Sequence, residues 1–192
     1  MELSAAQRER YERNLLVEGF TDRMQQALIA ARVAVVGAGG LGSAALNYLV
    51  AAGVGHLTLI ENDTVSLSNL QRQVVYTTAD MGRPKAEVAA MRLSRLNPGC
   101  NIRVVTDRLT AANAAGLLGG HDAVVDCTDN YDARYVIDDF CREAEVPMIY
   151  GTAEAVGGQV AVFHAGGAGG YRDLYPERAS QKPVVGVLSP IV

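Results

Sequence analysis

The sequence predicts an α/β fold: a mostly parallel sheet with helices on both faces. Three observations carry that prediction. Short, continuously apolar runs alternate with stretches of helical length across residues 33–151, as expected of parallel strands buried on both faces. The first of these runs stops at a glycine-rich loop, GAGGLG (37–42), that opens a helix. Helix ends are marked by residues that start or stop helices, notably Gly53, Pro84 and the Asn-Pro-Gly at 97–99. Together they predict a Rossmann-like architecture, with one later strand of antiparallel sense.

Each element follows in order. Residues 1–32 read as an N-terminal helical segment. Ser4 is an N-cap, Leu3, Tyr11, Leu15 and Leu16 give a partial apolar face, and Arg8, Arg10 and Arg13 project together on a polar side. A second short helix covers 22–31. VAVVG (33–37) is a β-branched strand, 41–53 an Ala/Leu helix, and HLTLIE (56–61) a second strand. A helix over 84–99 is followed by a strand over 101–107, a helix over 110–120 and a strand with its exit loop over 122–130. A helix over 132–146 leads to a strand over 147–151. From 157 to 167 one more strand is expected, antiparallel to the rest, overlapping a mobile glycine-rich loop over 165–173. The run PVVGVLSPIV (183–192) is apolar to its end, and the expectation is a chain that stops early or packs against a partner there. The whole of 33–192 reads as one nucleotide-binding domain.

Composition narrows the function classes. The chain has 192 residues, 49% hydrophobic and 20% charged, which is enough to bury a core. Its net charge of −4 gives no support for nucleic-acid or anionic-membrane binding. Three cysteines stand far apart without a CxxC, so neither a zinc knuckle nor a disulfide framework is expected. No apolar run reaches the roughly 18 residues of a membrane span, and the charged N-terminus has no signal-peptide character. A cytoplasmic protein is the expectation.

GAGGLG satisfies G-x-G-x-x-G with Gly37, Gly39 and Gly42, and Gly40 completes the loop. Strand–loop–helix placement favours phosphate binding over a plain tight turn, because free N–H groups and positive dipole gather at the helix start. No Gly-Lys-Ser/Thr follows, so this is not a Walker loop. Glu61 ends the second strand nineteen residues after Gly42, where a ribose-binding acid belongs. To this point NAD and ATP are equally served.

The polar residues that follow separate them. Asp63, Asn69, Arg72 and Gln73 come after the second strand, Lys85 starts a helix behind Pro84, and Asp126, Asp129 and Asn130 flank the end of the fourth strand. In an open parallel sheet the carboxyl ends of the strands face one crevice. Glu61, Arg72, Lys85 and Asp129 can therefore converge there. Two cations, a carboxylate suited to Mg²⁺ and a glycine cradle are parts for a triphosphate, whose transfer needs charge neutralisation and alignment. A hydride-transfer site would instead need a nicotinamide pocket and a proton donor. His56, His121 and His164 read as ordinary histidines.

Four motifs in this order and spacing, RYERN (10–14), SLSNLQRQ (66–73), GRPK (82–85) and DCTDN (126–130), resemble the ThiF/MoeB/HesA family, bacterial relatives of ubiquitin-activating enzymes. The resemblance runs from about residue 8 to the end. It implies ATP-Mg²⁺ binding and adenylation of the C-terminal Gly-Gly carboxylate of a small ubiquitin-like sulfur carrier, for thiamine, molybdopterin or a related cofactor. It implies that Glu61 holds the ribose hydroxyls and that Gly39 to Gly42 line the nucleotide. Asn69, Arg72 and Lys85 would contact phosphates, with Gln73 close by, and Asp129 would hold Mg²⁺. Arg13 would reach the neighbouring subunit's site, so a homodimer is implied.

The chain departs from the family at two places. Gly170 and Asp173 stand where many members carry a zinc-binding CxxC, so a structural zinc is not expected. The residues before GVLSP (186–190) include no cysteine, so adenylation without covalent sulfur transfer is expected. Two other readings stay open: an NAD(P)-dependent oxidoreductase, which leaves Arg72 and Lys85 unexplained, and a non-catalytic nucleotide-binding relative.

Overall fold

The computed structural model describes residues 2–155 and 157–176. The apolar run at 183–192 and the GVLSP segment lie outside the described residues. A six-stranded sheet forms the centre: β1 (Arg32–Val36), β2 (His56–Ile60), β3 (Asn101–Val105), β4 (Ala123–Asp126), β5 (Met148–Glu154) and β6 (Gly157–Phe163). Their spatial order is β3-β2-β1-β4-β5-β6. The first five are parallel, and β6 returns antiparallel along β5, as the sequence led one to expect. The order reverses between β1 and β4, which opens a crevice beyond their carboxyl ends.

Eight helices surround the sheet among the described residues: α1 (Ala5–Arg10), α2 (Glu12–Leu15), α3 (Asp22–Ala30), α4 (Gly40–Ala52), α5 (Lys85–Leu96), α6 (Ala114–Leu118), α7 (Tyr131–Ala144) and α8 (Tyr171–Leu174). The pleat sorts strand residues into two cores. Val33, Val35, Leu57 and Leu59 pack with Leu46, Val50, Val88 and Leu93 of α4 and α5. Ala34, Val36, Ile60, Val124 and Met148 pack with Leu118, Tyr135, Ile137 and Cys141 of α6 and α7. Burial on both faces is why the strands read as unbroken apolar runs.

The N-terminal segment differs from its expected form. It breaks at Tyr11 into two short helices, and of its expected apolar face only Leu3 and Tyr11 are buried, while Leu16 is 67% exposed. Polar contacts fasten it instead. Gln25, fully buried, donates to the Ala52 carbonyl at 3.0 Å, and Asn14 donates to the same carbonyl at 3.2 Å. Asn97 donates to the Tyr11 hydroxyl at 3.0 Å and to the Val50 carbonyl at 2.9 Å. These groups satisfy the open end of α4, which Gly53 caps at φ 104°.

Three further boundaries moved. The helix expected over 110–120 shrinks to α6, because the Asn113 side chain accepts from the Thr110 N–H at 2.8 Å and donates to the Arg108 carbonyl at 3.0 Å. That local turn competes with helix. β6 stops at Phe163 rather than 167, where His164 takes a positive φ of 58°. The glycine-rich stretch is not irregular to its end. Asp173 accepts from the Gly170 N–H at 2.7 Å and Asp138 from the Tyr171 N–H at 2.6 Å, which starts α8.

Candidate active site

A cleft of about 1100 Å³ lies at the carboxyl ends of the parallel strands. Its floor is the glycine loop. Gly37 has φ 96°, and a Cβ there would stand 2.7 Å from the Cys127 carbonyl oxygen. A Cβ at Gly42 would stand 2.1 Å from the Gly37 carbonyl oxygen, so Gly42 seats α4 against the end of β1 and does not line the cleft. Gly39 and Gly40 do line it. The N-terminus of α4 follows without a side-chain cap, leaving N–H groups and positive dipole for an anion.

Glu61 leaves β2 at the cleft wall. Its Oε2 accepts from the Ala38 N–H at 2.8 Å and its Oε1 from the Asp63 N–H at 2.8 Å. The carboxylate therefore ties the glycine loop to the exit of β2, with lone pairs left for a ligand hydroxyl. The Tyr76 hydroxyl donates to the Ala38 carbonyl at 3.0 Å from below. Burial, with the charges of Glu61 and Asp63, pushes the Tyr76 phenol well above its usual range, so it stays protonated.

The polar run at 66–73 folds back over the glycines. A 3-10 turn at Leu67–Asn69 presents the Asn69 carbonyl, which accepts from the Arg72 N–H at 3.1 Å and the Gln73 N–H at 3.0 Å. A Cβ on Gly40 would meet Arg72 Cγ at 3.4 Å, and one on Gly39 would meet Gln73 Nε2 at 3.6 Å. Arg72 donates to the Ser68 carbonyl at 3.2 Å. Gln73 is 3% exposed, and its Oε1 has no hydrogen-bond partner among the described residues. A buried orphan acceptor at the cleft wall fits an incoming donor.

Lys85 begins α5 with its side chain 5% exposed, and its ammonium pairs with Asp63 at 2.9 Å. Its backbone N–H donates to the Asp63 carbonyl at 2.9 Å, so chain and charge are both held. Across the cleft, Asp129 is exposed and Asn130 caps α7 by accepting from the Ala133 N–H at 2.8 Å. The described residues contain no group of three or more His, Cys, Asp or Glu poised for a metal. Asp129 beside a phosphate fits Mg²⁺ all the same, because this ion is commonly held by one or two carboxylates plus substrate phosphates and water.

Ten of the fourteen residues singled out from sequence line the cleft: Gly37, Gly39, Gly40, Glu61, Asp63, Arg72, Gln73, Lys85, Asp129 and Asn130. Gly42, Asn69, Arg13 and Asp126 do not. Asn69 acts here through its carbonyl, and Arg13 is exposed on α2. Asp126 is fully buried at the end of β4, where its Oδ1 accepts from the Thr128 N–H at 2.9 Å and hydroxyl at 2.7 Å. Its Oδ2 lies 3.6 Å from Arg134 Nε.

Burial outweighs the Thr128 hydrogen bonds and the Arg134 charge, and pushes the Asp126 carboxyl up to about 6. Its ordinary value is 3.8. Between these values the folded state holds a proton that the unfolded chain has lost, so the Asp126 contribution falls as pH rises through that window. We expect the unfolding free energy of the wild type, minus that of Asp126→Asn, to decrease from pH 4 to pH 7. Denaturant titrations across that range check it, and a difference that grows with pH would contradict the assignment.

Sequence reading missed Arg134. It is 6% exposed, one turn into α7, and donates to the Thr128 carbonyl at 2.9 Å. It also missed the cleft wall at 107–111, with Thr152 and Glu154. The strand-end rule could have flagged 107–111, because that segment follows β3. The cysteines offer no nucleophile among the described residues. All three are buried, and burial pushes their thiols up to about 11 for Cys100 and about 12 for Cys127 and Cys141.

Comparison with known proteins is consistent with this geometry. A model of the ThiF family matches residues 11–190. The chain is 44% identical over 195 residues to a molybdopterin-synthase adenylyltransferase of Escherichia coli (strain K12), covering 100% of this chain and 78% of that protein. It is 39% identical over 189 residues to the sulfur carrier protein ThiS adenylyltransferase of the same organism, covering 95% and 74%. Among solved structures, the E. coli tRNA N6-threonylcarbamoyladenosine dehydratase TcdA in complex with ATP superposes with a TM-score of 0.75 at 32% identity. That match covers 81% of this chain and 64% of the other.

Proposed function

The chain belongs to the ThiF family, and on that premise we propose that it is an ATP-dependent adenylyltransferase acting on a small ubiquitin-like sulfur carrier that ends in Gly-Gly. One observation supports this above the others. Arg72 and Gln73 lie directly over Gly39 and Gly40, with Lys85 on the same cleft. The Arg72 side chain thus lies over the glycine loop with Lys85 within reach of the same cleft, an arrangement that an adenylating site needs and a hydride-transfer site does not.

In the proposed reaction one oxygen of the carrier's terminal carboxylate forms a bond to the α-phosphorus of ATP. The bond from that phosphorus to the oxygen bridging to the β-phosphate breaks. Pyrophosphate leaves with the electron pair, and the carrier keeps an acyl-adenylate. Glu61 holds the ribose hydroxyls, and the α4 N-terminus with Gly39 and Gly40 cradles phosphate. Arg72 and Lys85 spread the charge that builds on the phosphates, Lys85 exchanging Asp63 for a phosphate oxygen. Asp129 would hold Mg²⁺, which would supply neutralisation of the phosphate charge. Since the described cysteines are buried, the proposal ends at the adenylate.

A homodimer is part of this reading. Arg13 is exposed and stands off its own cleft, which leaves it available to a neighbouring copy. Tyr48 on α4 is 77% exposed and Val160 on β6 is 83% exposed, apolar surface of the kind an interface buries. No helix among the described residues is long and apolar enough to cross a membrane.

ATP–pyrophosphate exchange that depends on a Gly-Gly-ended carrier protein is the expected result. Exchange with no plausible carrier, or tighter binding of NADH than of ATP-Mg²⁺, would overturn the proposal.

A further inference from the structure

A second cavity, about 480 Å³, adjoins the nucleotide cleft. Tyr131, Arg134, Thr152 and Glu154 line both, so the two spaces meet there. Beyond that junction the walls are aromatic. Tyr150 and Tyr171 rings lie 5.3 Å apart between centroids, and Tyr171 and Tyr175 lie 4.9 Å apart. The remaining side is the start of β6, where Gly157 and Gly158 put no side chain into the space.

Arg134 stands at the junction. Its guanidinium carbon lies 5.2 Å from the Tyr150 ring centre and 5.7 Å from that of Tyr131. Although buried, its Nε has no hydrogen-bond partner among the described residues, and Asp126 Oδ2, at 3.6 Å, is also without one. That Nε faces Asp126, while Nη2 donates to the Thr128 carbonyl at 2.9 Å and to the Thr152 hydroxyl at 3.4 Å, so the guanidinium is held at the junction as a fixed positive charge that attracts an anion.

We propose that this chamber is a specificity pocket for the acceptor. It receives an apolar side chain that stands just before the terminal Gly-Gly, and Arg134 orients the terminal carboxylate toward the cleft. The inference rests on the adenylation reading above and adds to it a rule for which tails are accepted. Two glycines put no side chain into the junction, and extended they span about 7 Å. The next residue then falls among the tyrosine rings. Glu154 at the rim opposes an acidic side chain there, and aromatic walls favour an apolar one.

Gly157 provides the test, because it lines the chamber and not the cleft. A Cβ there meets nothing closer than the Glu154 carbonyl oxygen at 3.9 Å, so a larger residue is tolerated and fills the chamber. Three heptapeptides identical except for ending Leu-Gly-Gly, Ala-Gly-Gly or Asp-Gly-Gly serve as acceptors in ATP–pyrophosphate exchange. Wild type should favour Leu over Ala by about tenfold or more in kcat/KM, with Asp the poorest. Gly157→Val should level Leu against Ala while leaving exchange with the Ala peptide near wild type. Tyr175→Ala, which enlarges the chamber from another wall, should change the order of preference without changing the KM for ATP. Equal use of the three peptides by wild type, or an equal loss with all three in Gly157→Val, would overturn the proposal. Silence with every peptide while a carrier protein supports exchange would also overturn it and leave adenylation standing. Silence with peptides and carriers alike would remove the adenylation reading itself.

Discussion

Arg72→Ala is expected to lower carrier-dependent ATP–pyrophosphate exchange by about 10²–10³-fold, the usual cost of removing one preorganised group that stabilises transition-state charge. The fold should survive. Arg72 is half-buried on the polar run, and its hydrogen bond to the Ser68 carbonyl is local. Loss of such a contact belongs with surface substitutions, within about 0.5 kcal/mol. Arg72→Lys should recover only part of the activity, because an ammonium cannot reproduce a planar fork of donors. Asp129→Ala should cause a comparable loss and weaken the dependence on Mg²⁺, since its exposed carboxylate is the metal's proposed protein ligand. The measurements are exchange rates and denaturant midpoints for each variant. Activity like the wild type in both Arg72→Ala and Asp129→Ala would sink the site assignment.

Gly42→Ala carries the second large effect, and it reaches the site through packing. A Cβ at this position would lie 2.1 Å from the Gly37 carbonyl oxygen and 2.9 Å from its carbonyl carbon. Both atoms are backbone, so no side chain can turn aside. Either α4 moves away from β1 or the glycine loop deforms. Overpacking of this kind costs about 3 kcal/mol, and the displaced helix start would no longer aim its N–H groups at phosphate. We expect a clear drop in the unfolding midpoint together with weaker ATP binding by calorimetry. Gly39→Ala separates the two effects, because its Cβ would meet only the Gln73 amide nitrogen, at 3.6 Å. That variant should keep near-normal stability and alter nucleotide affinity alone. Equal stability of Gly42→Ala and wild type would show that the close approach is not needed.

The two glycines show how differently a motif and a site are encoded. The G-x-G-x-x-G spacing is visible in the sequence, yet it does not say which glycine touches ligand and which touches backbone. Gly39 and Gly40 line the cleft, whereas Gly42 is buried against Gly37. The polar run was similarly legible in kind. Arg72 could be placed near phosphate because strand exits share one crevice, and Gln73 through the family resemblance, but not that the Asn69 carbonyl would hold both. Asp126 and Asp129 sit three residues apart, and the sequence placed both at the nucleotide site, Asp129 as the carboxylate for Mg²⁺. One ends a strand at full burial and is paired within the fold, and the other is exposed at the cleft.

The N-terminal segment shows where local pattern misleads. Leu15 and Leu16 extend a helical stripe, but Tyr11 breaks the helix to reach Asn97, which lies far along the chain. No local period encodes a polar clamp assembled from Tyr11, Asn14, Gln25 and Asn97 around the end of α4.

The layered α/β architecture, the glycine loop with its acid at the next strand end, and the cationic residues that point to a triphosphate were all legible in the chain before folding. These are properties of order and spacing, and a parallel sheet converts strand ends into a common crevice whatever the details. The rest came with packing: that Arg134 stands between two cavities, that four tyrosines from α7, β5 and the α8 region wall the second one, and that Asp126 is held within the fold. Those facts depend on which distant side chains share a face after the chain has crossed the sheet, and burial sets their charge and access only then.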